Sequence, residues 1–233
     1  MKIKYIYNNR FKSHVLLIII IICIIEKYPF NKQKIGVIGL AHSQNVGNNL
    51  LKYAISIKLS ELGFDPYIIG IKLENQNISL LQQFTKVKII NNSFKEIKKT
   101  EFKILMVNSD QTWRKWDKYF YDIAFLNFAK KWNIRKIIYG ASTGSDIWKL
   151  TKEDEIIAKN LLKNFKGISI REKGSINMIK KHLGFKPTFV LDPTFLIDKK
   201  YYLKLNIIKM IFFSKKILYL FIQSQIRKYL KNL

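Results

Sequence analysis

"KIGVIGLAHSQNVGNNLLKYAISIKLSELGF", residues 34–64, is the stretch whose reading decides the fold. It opens on a short apolar run, residues 34–40, that reads as a buried strand. A polar loop follows, "AHSQN". The chain then takes up helical spacing, with Leu50, Leu51, Ala54, Ile57 and Leu62 able to share a face. Gly63 closes that helix as a C-terminal cap. Strand, polar loop and helix make half of a βαβ unit.

The rest of the chain repeats the pattern. Strands are expected over residues 66–73, 86–90, 102–107, 134–142, 167–172 and 187–192. Helices are expected over 151–166 and 174–185, the second ending at Gly184. Thr151 is the expected cap of the first, with Asp154 at its third helical position. Strands alternating with helices imply right-handed crossovers. The expected fold class is therefore α/β: a Rossmann-like, mainly parallel sheet with helices on both faces.

Such sheets bind ligands beyond the carboxyl ends of their strands. The residues expected there are all polar. His42-Ser43-Gln44-Asn45 follow the first strand, and Asn108-Ser109-Asp110-Gln111 follow "FKILMV". Ser142-Thr143-Gly144-Ser145, Arg171-Glu172-Lys173 and Asp192-Pro193-Thr194 follow later ones. In "NVGNN", Gly47 allows close approach and Asn45 and Asn48 offer amides at a helix start, where anions bind. It lacks the spacing of a dinucleotide fingerprint or a P-loop.

"SDQTW" offers a carboxylate at Asp110, an amide at Gln111 and an indole at Trp113 that could stack on a sugar. Against that stands a plain helix cap with Trp113 packed beneath it. Arg171 suits a phosphate or carboxylate; the alternative is a surface pair with Glu172. Asp192-Pro193 reads as a structural turn. His42 is a candidate acid or base, and His182 a favourable charge near a helix end. No metal-ligand spacing links His14, His42 and His182, so no metal and no cofactor are expected.

The formal net charge of +26 suggests a polyanionic partner. Only five of the 42 basic residues are arginine, and lysine is spread along the whole chain. Nucleic-acid readers concentrate arginine, so no nucleic-acid partner is expected. The single cysteine, Cys23, allows no intrachain disulfide.

Residues 1–33 form a basic and apolar N-terminal segment. Its run "VLLIIIIICII", residues 15–25, is about half the roughly 20 residues needed to span a bilayer. It reads as buried or as a membrane-surface contact. Residues 34–198 form the expected α/β domain. Residues 199–233 are basic and apolar, contain no acidic residue, and do not continue the alternation; they read as an amphipathic helix on a membrane surface or as a helix returning to the sheet.

The pieces "NVGNN", "SDQTW", "YGAS", "SIREKGS" and "VLDPTFLI" stand in this order over residues 34–200. In order and spacing the chain resembles the polysaccharide pyruvyl transferase family. The resemblance implies a fold similar to the N-terminal half of a glycosyltransferase-B type enzyme. It implies transfer of pyruvate from phosphoenolpyruvate onto a sugar of a cell-surface polysaccharide, or of its lipid-linked precursor, as a ketal. It implies a cytoplasmic enzyme, peripheral to the membrane.

Positions matching the family motifs are Asn45, Gly47, Asp110, Gln111, Trp113, Arg171 and Asp192. Asp110 is the expected catalytic residue, with Gln111 and Trp113 at the acceptor. Arg171 and the backbone of Asn45 to Asn48 are the expected anion contacts. Asn108 stands where the family has glycine, and Arg114 where it commonly has asparagine. Residues 199–233 are shorter than the family's second domain, so they are expected to be a truncated one. A glycosyl transferase of surface glycans and an inactive remnant or subunit are the alternatives.

Overall fold

The computed structural model describes residues 33–39, 46–71, 86–90, 94–115 and 119–205. The strands are β1 (Lys34–Ile38), β2 (Asp65–Ile71), β3 (Lys86–Ile90), β4 (Ile104–Val107), β5 (Arg135–Ala141), β6 (Gly167–Ile170) and β7 (Thr188–Phe189). They form one sheet in the order β3-β2-β1-β4-β5-β6-β7. Every neighbouring pair is parallel. The helices are α1 (Val46–Glu61), α2 (Phe120–Phe125), α3 (Lys152–Leu162), α4 (Ser175–Leu183) and α5 (Lys199–Lys204). The expected α/β sheet is present.

Both faces of the sheet are covered, and strand alternation sorts the core into two layers. Ile35, Val37, Ile68, Ile104, Met106, Ile137 and Tyr139 face α1, meeting Ile55 and Leu59. Ile38, Ile69, Leu105, Val107 and Ile138 face the other way, against α2, α3 and α4. All four residues of β4 are buried, because this central strand has a layer on each side.

Local chemistry sets the helix ends. Gly63 takes φ +87 after α1, and Gly184 takes φ +80 after α4, as the glycine caps predict. Thr151 and Asp154 form the reciprocal cap of α3. Packing continues past residue 198 into α5. Tyr53 Oη donates to the carbonyl of Tyr201 (3.0 Å) and Tyr201 Oη donates to Glu61 (2.6 Å), fastening α5 to α1. Leu205 is buried with Leu50 and Ala54. Residues 15–25 and 206–233, the expected membrane contacts, lie outside the described residues.

The strand order reverses between β1 and β4: from β1 the chain runs outward to β2 and β3, then crosses back to β4. A crevice opens at the carboxyl ends of strands where the order reverses. The loop after β4 and the start of α1 border it.

Candidate active site

The loop after β4 is built on hydrogen bonds to its neighbours. The Asn108 N–H donates to the Ile38 carbonyl (2.7 Å), extending the pairing with β1 by one residue. Ser109 Oγ donates to the Gly140 carbonyl (2.6 Å). Asp110 forms a parallel bridge with Ala141, and the Ser142 N–H donates to the Asp110 carbonyl (2.9 Å). The Trp113 N–H donates back to the Ser142 carbonyl (3.1 Å). The "SDQTW" and "GAS" loops are thus laced into one floor.

Gly140 makes the lacing possible. It takes φ +60 where the β5–β6 register shifts. A side chain on it would start 3.2 Å from Ser109 Oγ. Its N–H donates to Ser169 Oγ (3.0 Å), whose hydroxyl donates to the Ile138 carbonyl (3.1 Å).

On this floor lies a compact charge cluster. Arg171 follows β6, its N–H donating to the Ala141 carbonyl (3.1 Å). Its guanidinium meets Asp192 at 2.7 Å, Glu172 at 3.1 Å and Asp110 at 3.9 Å. The other oxygen of Asp192 accepts from the Thr194 N–H (3.0 Å) and hydroxyl (2.6 Å). One guanidinium therefore serves three carboxylates.

Burial raises the proton affinity of Asp110, opposed by the Gln111 N–H, Arg171 and Lys52, and the net shift is upward. Burial likewise raises Glu172 against the pull of Arg171. Carboxyl groups held this way can both take and return a proton. Two acceptor atoms here, Asn108 Oδ1 and Glu172 Oε2, are buried with no hydrogen-bond partner among the described residues.

The second cation of the crevice is Lys52 of α1, 3% exposed. A Cβ placed on Gly39 would stand 3.5 Å from Asn108 Cβ and 4.0 Å from Lys52 Cε. The lysine stem therefore reaches the carboxyl end of β1, beside Asn108. Burial lowers its pKa to about 8, with Asp110 pulling the other way.

A model of the polysaccharide pyruvyl transferase family matches residues 45–233, most of the chain, including the charge cluster and the loops that carry it. The chain belongs to this family. No curated protein matches it. The assignment makes the chain a member of a family of transferases with polysaccharide acceptors.

The structure brings Asp110, Gln111, Arg171 and Asp192 together within this crevice. Gln111 lies against Gly144, where a Cβ would stand 2.9 Å from its Cδ, and accepts from Arg114 at 3.3 Å. Gly47 and Asn48 occupy the first turn of α1, half-buried. Asn45, His42 and Trp116 lie outside the described residues.

Trp113 is placed differently from the sugar platform expected of it. It is 3% exposed and packs beneath the loop against Phe125 (5.9 Å) and Phe185 (6.4 Å). Its hydrophobic area completes the core layer under the floor and presents no face to a ligand. Arg171, expected as an anion contact, is set among carboxylates. Its Nε and Nη1 are directed to carboxylates of the protein itself. The Arg171–Glu172 pair exists, but in the crevice and not on the surface.

His182 is in the last turn of α4, as expected near a helix end. Its ring stacks on Trp148 (4.6 Å) and its Nδ1 lies 2.8 Å from Glu155. Glu155 also accepts from Trp148 Nε1 (2.9 Å), which ties the loop after β5 to α3.

Sequence reasoning did not single out Lys52 and gave no site role to Ser109 or Glu172, which the structure sets beside Arg171. The signal for Lys52 was available. Asn48, Lys52, Ile55 and Leu59 lie on one stripe at helical spacing. Ile55 and Leu59 are fully buried against the sheet, so a lysine on that stripe is a buried lysine.

Proposed function

We propose that the chain transfers pyruvate from phosphoenolpyruvate onto one sugar of a surface polysaccharide or its lipid-linked precursor, forming a ketal. The observation that carries this is Asp110: a carboxyl of raised proton affinity, fixed by its backbone to β5, at the crevice where the strand order reverses.

Ketal formation joins two acceptor oxygens to C2 of the donor. One hydroxyl proton ends on C3, which becomes a methyl group. The other leaves with phosphate as the bond between C2 and the phosphate oxygen breaks. In this reading Asp110 takes the proton of an acceptor hydroxyl, and Gln111 beside it binds the sugar. The first turn of α1, with Gly47 and Asn48, turns its positive end to the donor, and Asn45, next before it in the sequence, is kept as a donor contact. Arg171 holds Asp192 and Glu172 in place beside Asp110. The proposal includes a cytoplasmic enzyme working at the inner membrane surface. No helix among the described residues is long and apolar enough to cross a membrane.

The test is release of inorganic phosphate from phosphoenolpyruvate in the presence of acceptor glycan, with the ketal methyl group followed by proton NMR. Asp110→Asn should lower the rate by about 10²- to 10⁴-fold, the usual contribution of a positioned base. Full transfer by that variant would remove Asp110 from the chemistry. Turnover of a nucleotide sugar in place of phosphoenolpyruvate would favour glycosyl transfer.

A further inference from the structure

The proposed reaction needs a cation for the donor's phosphate and carboxylate. Arg171, the expected one, stands among three carboxylates at 2.7, 3.1 and 3.9 Å. A guanidinium so surrounded offers an incoming anion more repulsion than attraction. Arg114 is at the rim, half-exposed, with Nη1 directed at Gln111.

We propose that Lys52 is the anion contact of this crevice, taking the phosphate or carboxylate of the donor, while Arg171 is the internal counter-ion that positions Asp192 and Glu172. The assignment rests on the reading of the chain as a transferase with a phosphate-bearing donor.

Three geometric facts carry it. Lys52 projects from the sheet-facing stripe of α1, and helical side chains tilt toward the helix N-terminus. Here that direction is toward the carboxyl ends of β1 and β4. Its stem shares the space above Gly39 with Asn108, which brings Cε, one bond short of the amine, to the carboxyl end of β1. The stripe also changes character along its length. Leu59 and Ile55 are wholly buried and apolar, then come Lys52 and Asn48, one and two turns closer to the crevice. An apolar residue at position 52 would continue the packing of Ile55 and Leu59. A lysine there places a positive charge where the reaction needs one, at the cost of desolvating it. An ammonium suits this task because it meets a phosphate as a compact point charge, without the planar fork of arginine.

The experiment is equilibrium binding of phosphoenolpyruvate, inorganic phosphate and a nucleotide-sugar panel, by calorimetry, to the full chain and to Lys52→Met, Lys52→Arg and Arg114→Met. Folding of each variant is checked by circular dichroism. The proposal expects wild-type binding of a phosphate-bearing molecule. Affinity should fall at least tenfold in Lys52→Met, recover in part in Lys52→Arg, and change less than threefold in Arg114→Met. Equal affinity in Lys52→Met overturns it, as does an equal loss in Arg114→Met. Lysine-dependent binding of nucleotide sugars with none of phosphoenolpyruvate would uphold Lys52 and sink the pyruvyl reading. Failure of the folded wild type to bind any phosphate-bearing molecule would overturn both. Were Lys52→Met unfolded, Lys52→Gln takes its place under the same criteria: a loss of at least tenfold supports the assignment, and affinity equal to wild type overturns it.

Discussion

Replacing Lys52 by methionine should make the protein more stable at neutral pH. Methionine keeps an unbranched stem of similar length and removes the charge. The pKa of Lys52 falls from 10.5 to about 8, chiefly through burial. At about 1.4 kcal/mol for each tenfold change in proton affinity, this amounts to about 3 kcal/mol against folding. The sign follows from proton counting. Above pH 10.5 the amine is neutral in both states and the penalty is absent. As pH falls from 10.5 toward 8, the unfolded chain binds a proton that the folded chain declines, and the wild type loses stability. Below 8 the penalty is complete. Urea unfolding of both proteins at pH 7 and pH 10.5 isolates the effect, since the added apolar packing of methionine does not depend on pH. Asp110 loses a favourable neighbour in the variant, which trims the gain. The variant should lead by about 2–3 kcal/mol at pH 7, with the lead closing at pH 10.5. A variant less stable than wild type at pH 7 would refute the reasoning, because the contacts of Lys52 would then outweigh the cost of burying its charge. A lead of the same size at both pH values would refute it too.

Two further outcomes follow from the packing. Burial pushes the Asp154 carboxyl up, but Lys115, Tyr121 and the Thr151 N–H outweigh it and bring its pKa to about 2. Its contribution is therefore complete above the ordinary aspartate range and lost as pH falls through about 2. Asp154→Asn should cost about 1–2 kcal/mol at pH 7, with the difference from wild type closing in denaturant titrations below pH 3. Trp113→Ala should cost about 3–5 kcal/mol, as large core deletions do; an unchanged melting temperature with a raised KM for acceptor would instead restore Trp113 to the sugar site.

The layered α/β plan was legible because alternation, helical spacing and glycine caps all point to it. Gly63, Gly184 and the Thr151–Asp154 pair sit where the sequence puts them, since each acts through neighbours a few residues away. Strand limits were drawn too wide. Residues 102–107 and 187–192 shorten to Ile104–Val107 and Thr188–Phe189, because pairing partners and not apolar content decide where a ladder stops. The strand-end rule pointed to Asp110, Gln111 and Arg171, and the structure sets these residues close together. The roles of Trp113 and Arg171 could not be read locally. Whether an indole faces a crevice or a core depends on Phe125 and Phe185, and whether a guanidinium is available depends on Asp192, 21 residues away. Lys52 was hidden for a different reason: lysine is so common in this chain that one more on a helix drew no attention.

The burial of β4 on both faces has a consequence for how the molecule fails. Ile104, Leu105, Met106 and Val107 are fully covered and paired on both edges, so their amide hydrogens should exchange with solvent only through global opening. Asp110 hangs three residues beyond that strand and is stitched to β5, the next strand over. The reacting groups thus ride on the part of the protein that lets go last. Fraying at α5 would leave them in register, and activity should persist through such partial denaturation until the ladders that carry Asp110, Arg171 and Asp192 come apart.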